Sequence, residues 1–241
     1  MKTVVIIPAR VKSTRLPAKL LQKINGKTVI ENCYSWACRA GYSTFVASSD
    51  DEILSLIPAG HSISTMEKHH NGTERCSEAA KFLDLDANDV VINVQGDIAL
   101  YDPMVLNYLS GVIKRDKADM ATACCFFDSL DDFKSENKVK ACTNERGNAI
   151  FFSRKLLFSY PYARLHVGVY AMKAFMLGWY KAAGPCSLEQ EESLEQMRWL
   201  HYAKTVRVFS MGPEAPITID TPEDLVSVEE KWERKVKKWI K

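Results

Sequence analysis

Four cations stand close together near the start of the chain: Arg10, Lys12, Arg15 and Lys19, in the stretch IPARVKSTRLPAK. A guanidinium offers a planar fork of donors and an ammonium a point charge, and both suit phosphate oxygens. The hydroxyls of Ser13 and Thr14 and the loop's backbone N–H groups add further donors. Neither the GxxxxGK[ST] loop nor the GxGxxG fingerprint is present, so a phosphate held here would be held mainly by side chains. The same composition also fits a solvated loop.

Two carboxylates stand in comparable positions. Asp97 follows an apolar run in VINVQGD, and Asp220 follows a short apolar segment in IDTPEDL. Each is open to two readings. It can hold Mg2+ beside a polyphosphate, or it can serve as a turn former or helix N-cap. His166 precedes Val167-Gly168-Val169-Tyr170 at a strand start, where it can be structural or can hydrogen-bond a ligand. Glu195 and Gln196 lie beside an apolar stripe; the simplest role for Glu195 is a rim salt bridge with Arg198 or Arg75. His69 and His70 are adjacent and read as loop residues.

The elements that must position these groups alternate. Val4–Ile7, Thr44–Ala47, Ser62–Met66 and Val90–Val94 read as strands. Between them, the spacing predicts helices from Val29 to Ala40, after Asp50 or Asp51, and over Gly72–Leu83. Asp102-Pro103 opens another helix. Met120–Phe127 and His166–Met172 read as strands, and Lys138–Cys142 pairs with Ala149–Phe152 around Asn144-Glu145-Arg146-Gly147. The apolar spacing of Leu194, Met197 and Leu200 predicts one helix over Glu189–His201. Thr205–Phe209 is a last strand. A helix opening near Asp220 ends in a basic tail, Lys235 to Lys241, expected to be solvated. The pattern predicts an α/β fold: a mostly parallel sheet flanked by helices, Rossmann-like, as a single domain over 1–241 with a smaller embedded lobe at about 124–172. In such sheets ligands bind beyond the carboxyl ends of strands, where the cationic loop, Gln95-Gly96-Asp97 and the Asp220 loop all fall.

The 241 residues are 46% hydrophobic and 26% charged, with a net charge of +2, which gives no argument for nucleic-acid binding. No apolar run approaches membrane-spanning length, and the N-terminus lacks a signal-peptide pattern. The seven cysteines are odd in number and form no CxxC pair or zinc spacing. They read as reduced thiols of a cytoplasmic protein.

Taken together, IPARVKSTRLPAK, NGTER, VINVQGD, FFSR, HVGVY, SLEQMRWL and IDTPEDL resemble the 3-deoxy-manno-octulosonate cytidylyltransferase family, in order and over nearly the whole chain. The resemblance implies a nucleotidyltransferase fold, a homodimer, and transfer of CMP from CTP to the anomeric hydroxyl of 3-deoxy-manno-octulosonate (Kdo), a 2-keto-3-deoxy sugar acid, with Mg2+ as cofactor and pyrophosphate leaving. It implies Arg10, Ser13, Arg15, Lys19 and Arg75 around the nucleotide. Asp97 and Asp220 would hold the metal. Gln95, Arg154, His166, Glu195 and Gln196 would line the sugar pocket. Arg10, Lys19, Asp97 and Asp220 would carry the catalysis. The chain departs from the family's usual pattern at Val11-Lys12, at Ala18 in place of a glycine, at Ile98-Ala99 in place of Glu-Pro, and in a short segment between FFSR and HVGVY. These departures admit an analogue such as 8-amino-Kdo as acceptor. A sialic-acid-type cytidylyltransferase and a non-catalytic nucleotide-binding regulator are the alternatives.

Overall fold

Thr3–Pro8 forms β1, and all six residues are buried. Val5 and Ile7 enter one hydrophobic layer, Val4 and Ile6 the other. A strand covered on both faces must be apolar at every position, which is why this segment does not alternate. The computed structural model describes residues 1–239 except Thr14, Phe158, Pro161 and Pro213, and not the side chains of Glu229, Glu230, Lys238 and Trp239. The Thr14 hydroxyl and the last two tail residues therefore lie outside the described residues.

After the cationic loop comes a short hairpin of β2 (Lys23–Ile24) and β3 (Lys27–Thr28). Asn25 and Gly26 make its turn, both with positive φ. α1 (Val29–Cys38) starts on a capping box between Thr28 and Glu31. β4 (Ser43–Ser48), α2 (Asp51–Leu54), β5 (Ser62–Ser64), α3 (Gly72–Ala79), β6 (Val90–Val94), β7 (Ile98–Leu100), α4 (Met104–Arg115) and β8 (Met120–Cys125) continue the alternation. Then come α5 (Leu130–Lys134), β9 (Lys140–Thr143), β10 (Ala149–Ser153) and the ten-residue β11 (Arg164–Lys173). α6 (Ala174–Ala183), α7 (Ser187–Glu192), α8 (Met197–His201), β12 (Val206–Ser210), β13 (Ile217–Thr218) and α9 (Pro222–Trp239) complete the order.

The main sheet runs β10-β9-β11-β6-β1-β4-β5, with β8 on β11 and β12 on β8. β5, β4, β1 and β6 are parallel neighbours, as are β8 and β12; β11 runs antiparallel to both β6 and β8. This is the expected α/β architecture, with helices against both faces. β11 is shared along its length. Val169–Lys173 pair with β6, whereas Arg164 and Leu165 pair with β9. Between those two neighbours β11 borders a cleft at His166–Gly168, where His166 N–H still donates to Val139 O and Gly168 O accepts Gln95 N–H. Residues 124–172 begin on β8 and end on β11, both in the main sheet, and α5, β9 and β10 form the excursion between them.

Four expectations change. The helix over Glu189–His201 is two helices, α7 and α8, separated where Ser193 adopts the left-handed conformation (φ 52). Leu194 lies in the turn between them, and only Met197 and Leu200 of the apolar set belong to α8. Over Gly72–Leu83 the α-helix stops at Ala79 and tightens into a 3-10 turn over Ala80–Phe82. The third strand stops at Ser64, not Met66. Finally, Lys235 of the basic tail is buried: its ammonium donates to the Ala215 carbonyl and lies 3.5 Å from Glu214. The aliphatic stem of α9's lysine thus packs on the fold while its head finds carbonyl and carboxylate oxygens. No helix among the described residues is long and apolar enough to cross a membrane.

Candidate active site

The cationic loop leaves β1 and is tied back at once. Ala9 N–H donates to Ala47 at 2.9 Å, and Val11 N–H donates to the Asp50 carboxylate at 2.7 Å. Asp50 stands before α2 as expected, yet it does not cap that helix with its side chain; it braces the loop instead. Ala18 then takes φ 50, ψ 35, the left-handed region that disfavours a Cβ. The resemblance places a glycine at this position, and the backbone here shows why.

That turn delivers Lys19 to the centre of the site. Its ammonium lies 2.5 Å from Asp97 and 3.0 Å from Asp220. Arg15 donates to Asp220 at 2.9 Å and to the Asn137 side chain at 2.9 Å. Asp220 is therefore no helix cap. Thr221 caps α9 through Asp224 N–H, while the Asp224 carboxylate accepts the N–H groups of Asp220 and Thr221. Burial works to raise the Asp97 pKa, Lys19 opposes it, and the nearby Asp220 charge adds to it; the carboxyl ends above its usual range. Burial pushes Asp220 up as well, but Lys19 and Arg15 outweigh it and hold that carboxyl below its usual range. Burial pulls the Lys19 ammonium down, and its two carboxylates more than offset this.

Two carboxylates converging on one cation position form a donor set that suits Mg2+, which takes one or two protein carboxylates and completes its octahedron with phosphate and water oxygens. Among the described residues there is no cluster of three or more metal-ligating His, Cys, Asp or Glu side chains. A metal here would accordingly draw most of its ligands from substrate and solvent.

On one side of this centre lies a cavity of about 510 Å³ lined by Arg10, Ser13, Arg15, Lys19 and Arg75. Arg10 is exposed and makes no ion pair with the described residues. Arg75, by contrast, is buried and already engaged: it donates to Thr65 Oγ1 at 2.6 Å and to the carbonyls of Met66 and Glu67 at 3.2 and 3.3 Å. It shapes the cavity wall.

On the other side lies a second cavity of about 560 Å³, bordered by β11 and lined by Gln95, Arg154, His166, Glu195 and Gln196. Gln95 N–H donates to Gly168 O at 3.2 Å, and its side-chain amide donates to Glu195 at 2.6 Å. Glu195 also accepts Thr73 N–H at 2.9 Å. Burial, only partly opposed by that Thr73 bond, raises the Glu195 pKa to about 7. A Cβ on Gly72 would stand 3.0 Å from the Gln95 amide and from Pro8, so a side chain at the start of α3 would press on both.

His166 sits beside a bulge. The pairing of β11 with β8 slips between Val167 and Tyr170, and bulges of this kind re-aim side chains next to sites. Thr122 fills it, its hydroxyl 2.8 Å from Val169 O and 2.9 Å from His166 Nε2. The hydroxyl's one proton goes to the carbonyl, so Nε2 carries the ring proton and Nδ1 stays an acceptor. Burial, with Arg154 adding to it, lowers the His166 pKa to about 3, so the ring is neutral.

The rim salt bridge expected for Glu195 does not form. Arg198 is fully buried and donates to both Glu189 oxygens at 2.6 and 2.8 Å, to Glu74 at 3.0 Å, and to Tyr180 O at 3.0 Å. Tyr180 lies under the guanidinium and gives its hydroxyl to Glu195 O at 3.1 Å. Asn71 caps α3 and donates to Glu189 and to the Tyr180 hydroxyl. This network fixes the α7–α8 turn that presents Glu195 and Gln196. Sequence reasoning missed Asp50, Asn71, Asn137 and Glu189; only Asn71, inside NGTER, carried a signal. Of the two loop histidines, His69 lies 2.8 Å from Glu78.

The site is a polar seam with cations on one flank, paired carboxylates at its centre and Gln95, His166, Glu195 and Gln196 on the wall opposite, set in an α/β fold of the nucleotidyltransferase class. A family model described as Cytidylyltransferase matches residues 4–206. The 3-deoxy-manno-octulosonate cytidylyltransferase of Vibrio parahaemolyticus is 35% identical over 95% of this chain and 97% of its own. That of Aliivibrio fischeri is 36% identical over 95% and 98%. A solved CMP:2-keto-3-deoxy-manno-octonic acid synthetase complexed with CTP superposes with a TM-score of 0.85 at 31% identity, covering 97% of this chain and 99% of that one. The chain belongs to the 3-deoxy-manno-octulosonate cytidylyltransferase family. The inositol-1-phosphate CTP transferase of T. maritima shares the fold alone, at 15% identity and a TM-score of 0.70.

Proposed function

We propose that this protein transfers CMP from CTP to the anomeric hydroxyl of Kdo or a close analogue such as 8-amino-Kdo, releasing pyrophosphate. The observation that carries the reading is the Lys19 bridge between Asp97 and Asp220 at the seam of two cavities. The cavities share Arg10, Arg15, Asn71, Gly72, Gln95 and Asp97, so ligands in them would meet at these residues.

Arg10, Ser13, Arg15 and Lys19 bind the triphosphate and offset charge that builds on the leaving pyrophosphate. Asp97 and Asp220 would hold Mg2+, which when bound neutralises phosphate oxygens. Arg154 takes the acceptor carboxylate on its two parallel donors. Neutral His166, with Gln95, Glu195 and Gln196, orients the sugar hydroxyls. The anomeric hydroxyl oxygen attacks the α-phosphorus and gives up its proton to solvent, its bond to phosphorus forms, and the bond to the pyrophosphate oxygen breaks. Such transfers lean on positioning and charge stabilisation, which fixed side chains supply. Ile98, buried in β7 and pinned by β13, gives the acceptor cavity an apolar side chain where the family usually has an acid.

The embedded lobe and the second subunit belong to the same reading. Ile150, Leu156, Leu157 and Tyr162 are exposed on and after β10, and an apolar surface of this kind suits a second copy of the chain. The described cysteines are all free thiols, in keeping with a cytoplasmic setting.

A pyrophosphate-release assay tests the proposal, pairing each nucleoside triphosphate with a panel of 2-keto sugar acids and Mg2+. Turnover with CTP and Kdo or its 8-amino analogue is expected. Preference for neuraminate-type acids, or no release with any acid, refutes it.

A further inference from the structure

The cations around the site divide by the cavity they line. Lys12, Lys19 and Arg75 line only the nucleotide-side cavity, and Arg10 and Arg15 line both. Two cations line the acceptor-side cavity alone: Arg154 and Lys138. Lys138 was read from sequence only as the start of a strand.

Both are fastened to one short segment. Arg154 donates through its guanidinium to Glu136 O at 3.1 Å. The fully buried Lys140 ammonium donates to Ser135 O at 2.6 Å and to Arg154 O at 2.8 Å. Lys138 N–H closes a turn on Ser135 O at 3.2 Å. Arg15 reaches the same segment through Asn137. Backbone and side chain of Arg154 are thus held against the loop that carries Lys138.

Lys138 itself is half-buried and makes no ion pair with the described residues. Its charge bears on Asp220, after those of Lys19 and Arg15. A half-buried ammonium that lines a cavity with no carboxylate in contact is placed to meet an anionic group of a ligand there. Lys138 lines the acceptor-side cavity and not the nucleotide-side one, so the anionic group it faces is that of the acceptor.

We propose that Lys138 is a second carboxylate-recognition residue, forming with Arg154 a two-cation clamp on the acid group of the acceptor. This deepens the reading above and rests on it. The carboxylate of a 2-keto sugar acid is bonded to the anomeric carbon, so it must enter beside a triphosphate. Like charges brought side by side in a partly buried site repel one another strongly. One guanidinium, itself crowded by Arg15, is opposed by that field. A second cation on the acceptor side offsets it without drawing the triphosphate across the seam.

The test is calorimetric titration of the sugar acid, and of its neutral carboxamide, into protein saturated with a non-hydrolysable CTP analogue and Mg2+. Lys138→Met should weaken acid binding about tenfold, the scale of one hydrogen bond to a charged group. Carboxamide and CTP-analogue affinities should stay unchanged, and Lys138→Arg should restore most of the acid affinity. Unchanged acid affinity in Lys138→Met overturns the clamp, as does an equal loss for acid and carboxamide. Pyrophosphate release by the unmodified protein is measured alongside. Acid binding without release would sink the transfer reading while the clamp is still decided by the variant.

Discussion

Replacing Lys19 with Met tests the central ion pair directly. The substitution keeps a similar unbranched stem but leaves Asp97 and Asp220 facing one another without the ammonium that now lies 2.5 and 3.0 Å from them. Removing one partner of a buried pair costs about 3–5 kcal/mol. The Lys19 side chain is 14% exposed, but both carboxylates are 25% exposed, so solvent relieves part of this and about 2 kcal/mol remains. For a chain of this length that corresponds to a fall in Tm of about 4–8 °C. The fall should appear in thermal denaturation with a chelator present. Millimolar Mg2+ should recover most of it, because a divalent ion held by Asp97 and Asp220 would replace the lost charge. The unmodified protein should gain less, since Mg2+ there must displace Lys19. Pyrophosphate release should drop by roughly a thousandfold, the size of losing one preorganised charge at the reacting phosphate. A variant equally stable in chelator and in Mg2+ would refute the reasoning, since the carboxylates would then form no shared cation site.

Two further outcomes follow from backbone and burial. Ala18→Gly should raise stability by about 0.5–1 kcal/mol, the relief of a left-handed alanine less the entropy that glycine adds to the unfolded chain; a lower Tm would count against strain at φ 50. His166, its folded pKa lowered to about 3, binds fewer protons folded than unfolded. Its contribution is full above the unfolded value near 6.5 and is lost as pH falls toward 3, about 2 kcal/mol by pH 5. Urea denaturation of His166→Gln should show a smaller loss between pH 7 and pH 5 than the unmodified protein, and an identical loss would contradict the burial argument.

Much of this was legible before the coordinates. Buried strands such as β1 and β6 announce themselves because both faces are covered, and the polar residues that follow them must then stand at the sheet's carboxyl edge. The cationic loop, Asp97 and Asp220 were placed that way. What stayed hidden depends on partners far away in sequence. Asp220 looks like a helix cap until Lys19 and Arg15 are seen beside it, while Thr221 and Asp224 do the capping. Arg198 and Glu195 look like neighbours for a salt bridge, but the guanidinium goes to Glu189 and Glu74 while Glu195 accepts from Thr73 N–H and the Gln95 amide. Lys235 reads as a solvated tail residue because no local pattern reveals the Ala215 carbonyl above it.

The shared edge of β11 has a consequence for how such an enzyme can change. The loops that carry Lys19 and Asp97 leave β1 and β6, whereas the β9–β10 hairpin attaches near the amino-terminal end of β11 and meets the site through side chains that include Asn137 and Arg154. The hairpin can therefore be lengthened, trimmed or exchanged without re-registering the strands that hold the phosphates. On the proposed reading residues 135–154 carry Lys138 and Arg154, whereas Gln95, His166, Glu195 and Gln196 stand on other elements; a chimaera carrying a relative's residues in place of 135–154 should therefore change how tightly the acid group is held while keeping its own nucleotide.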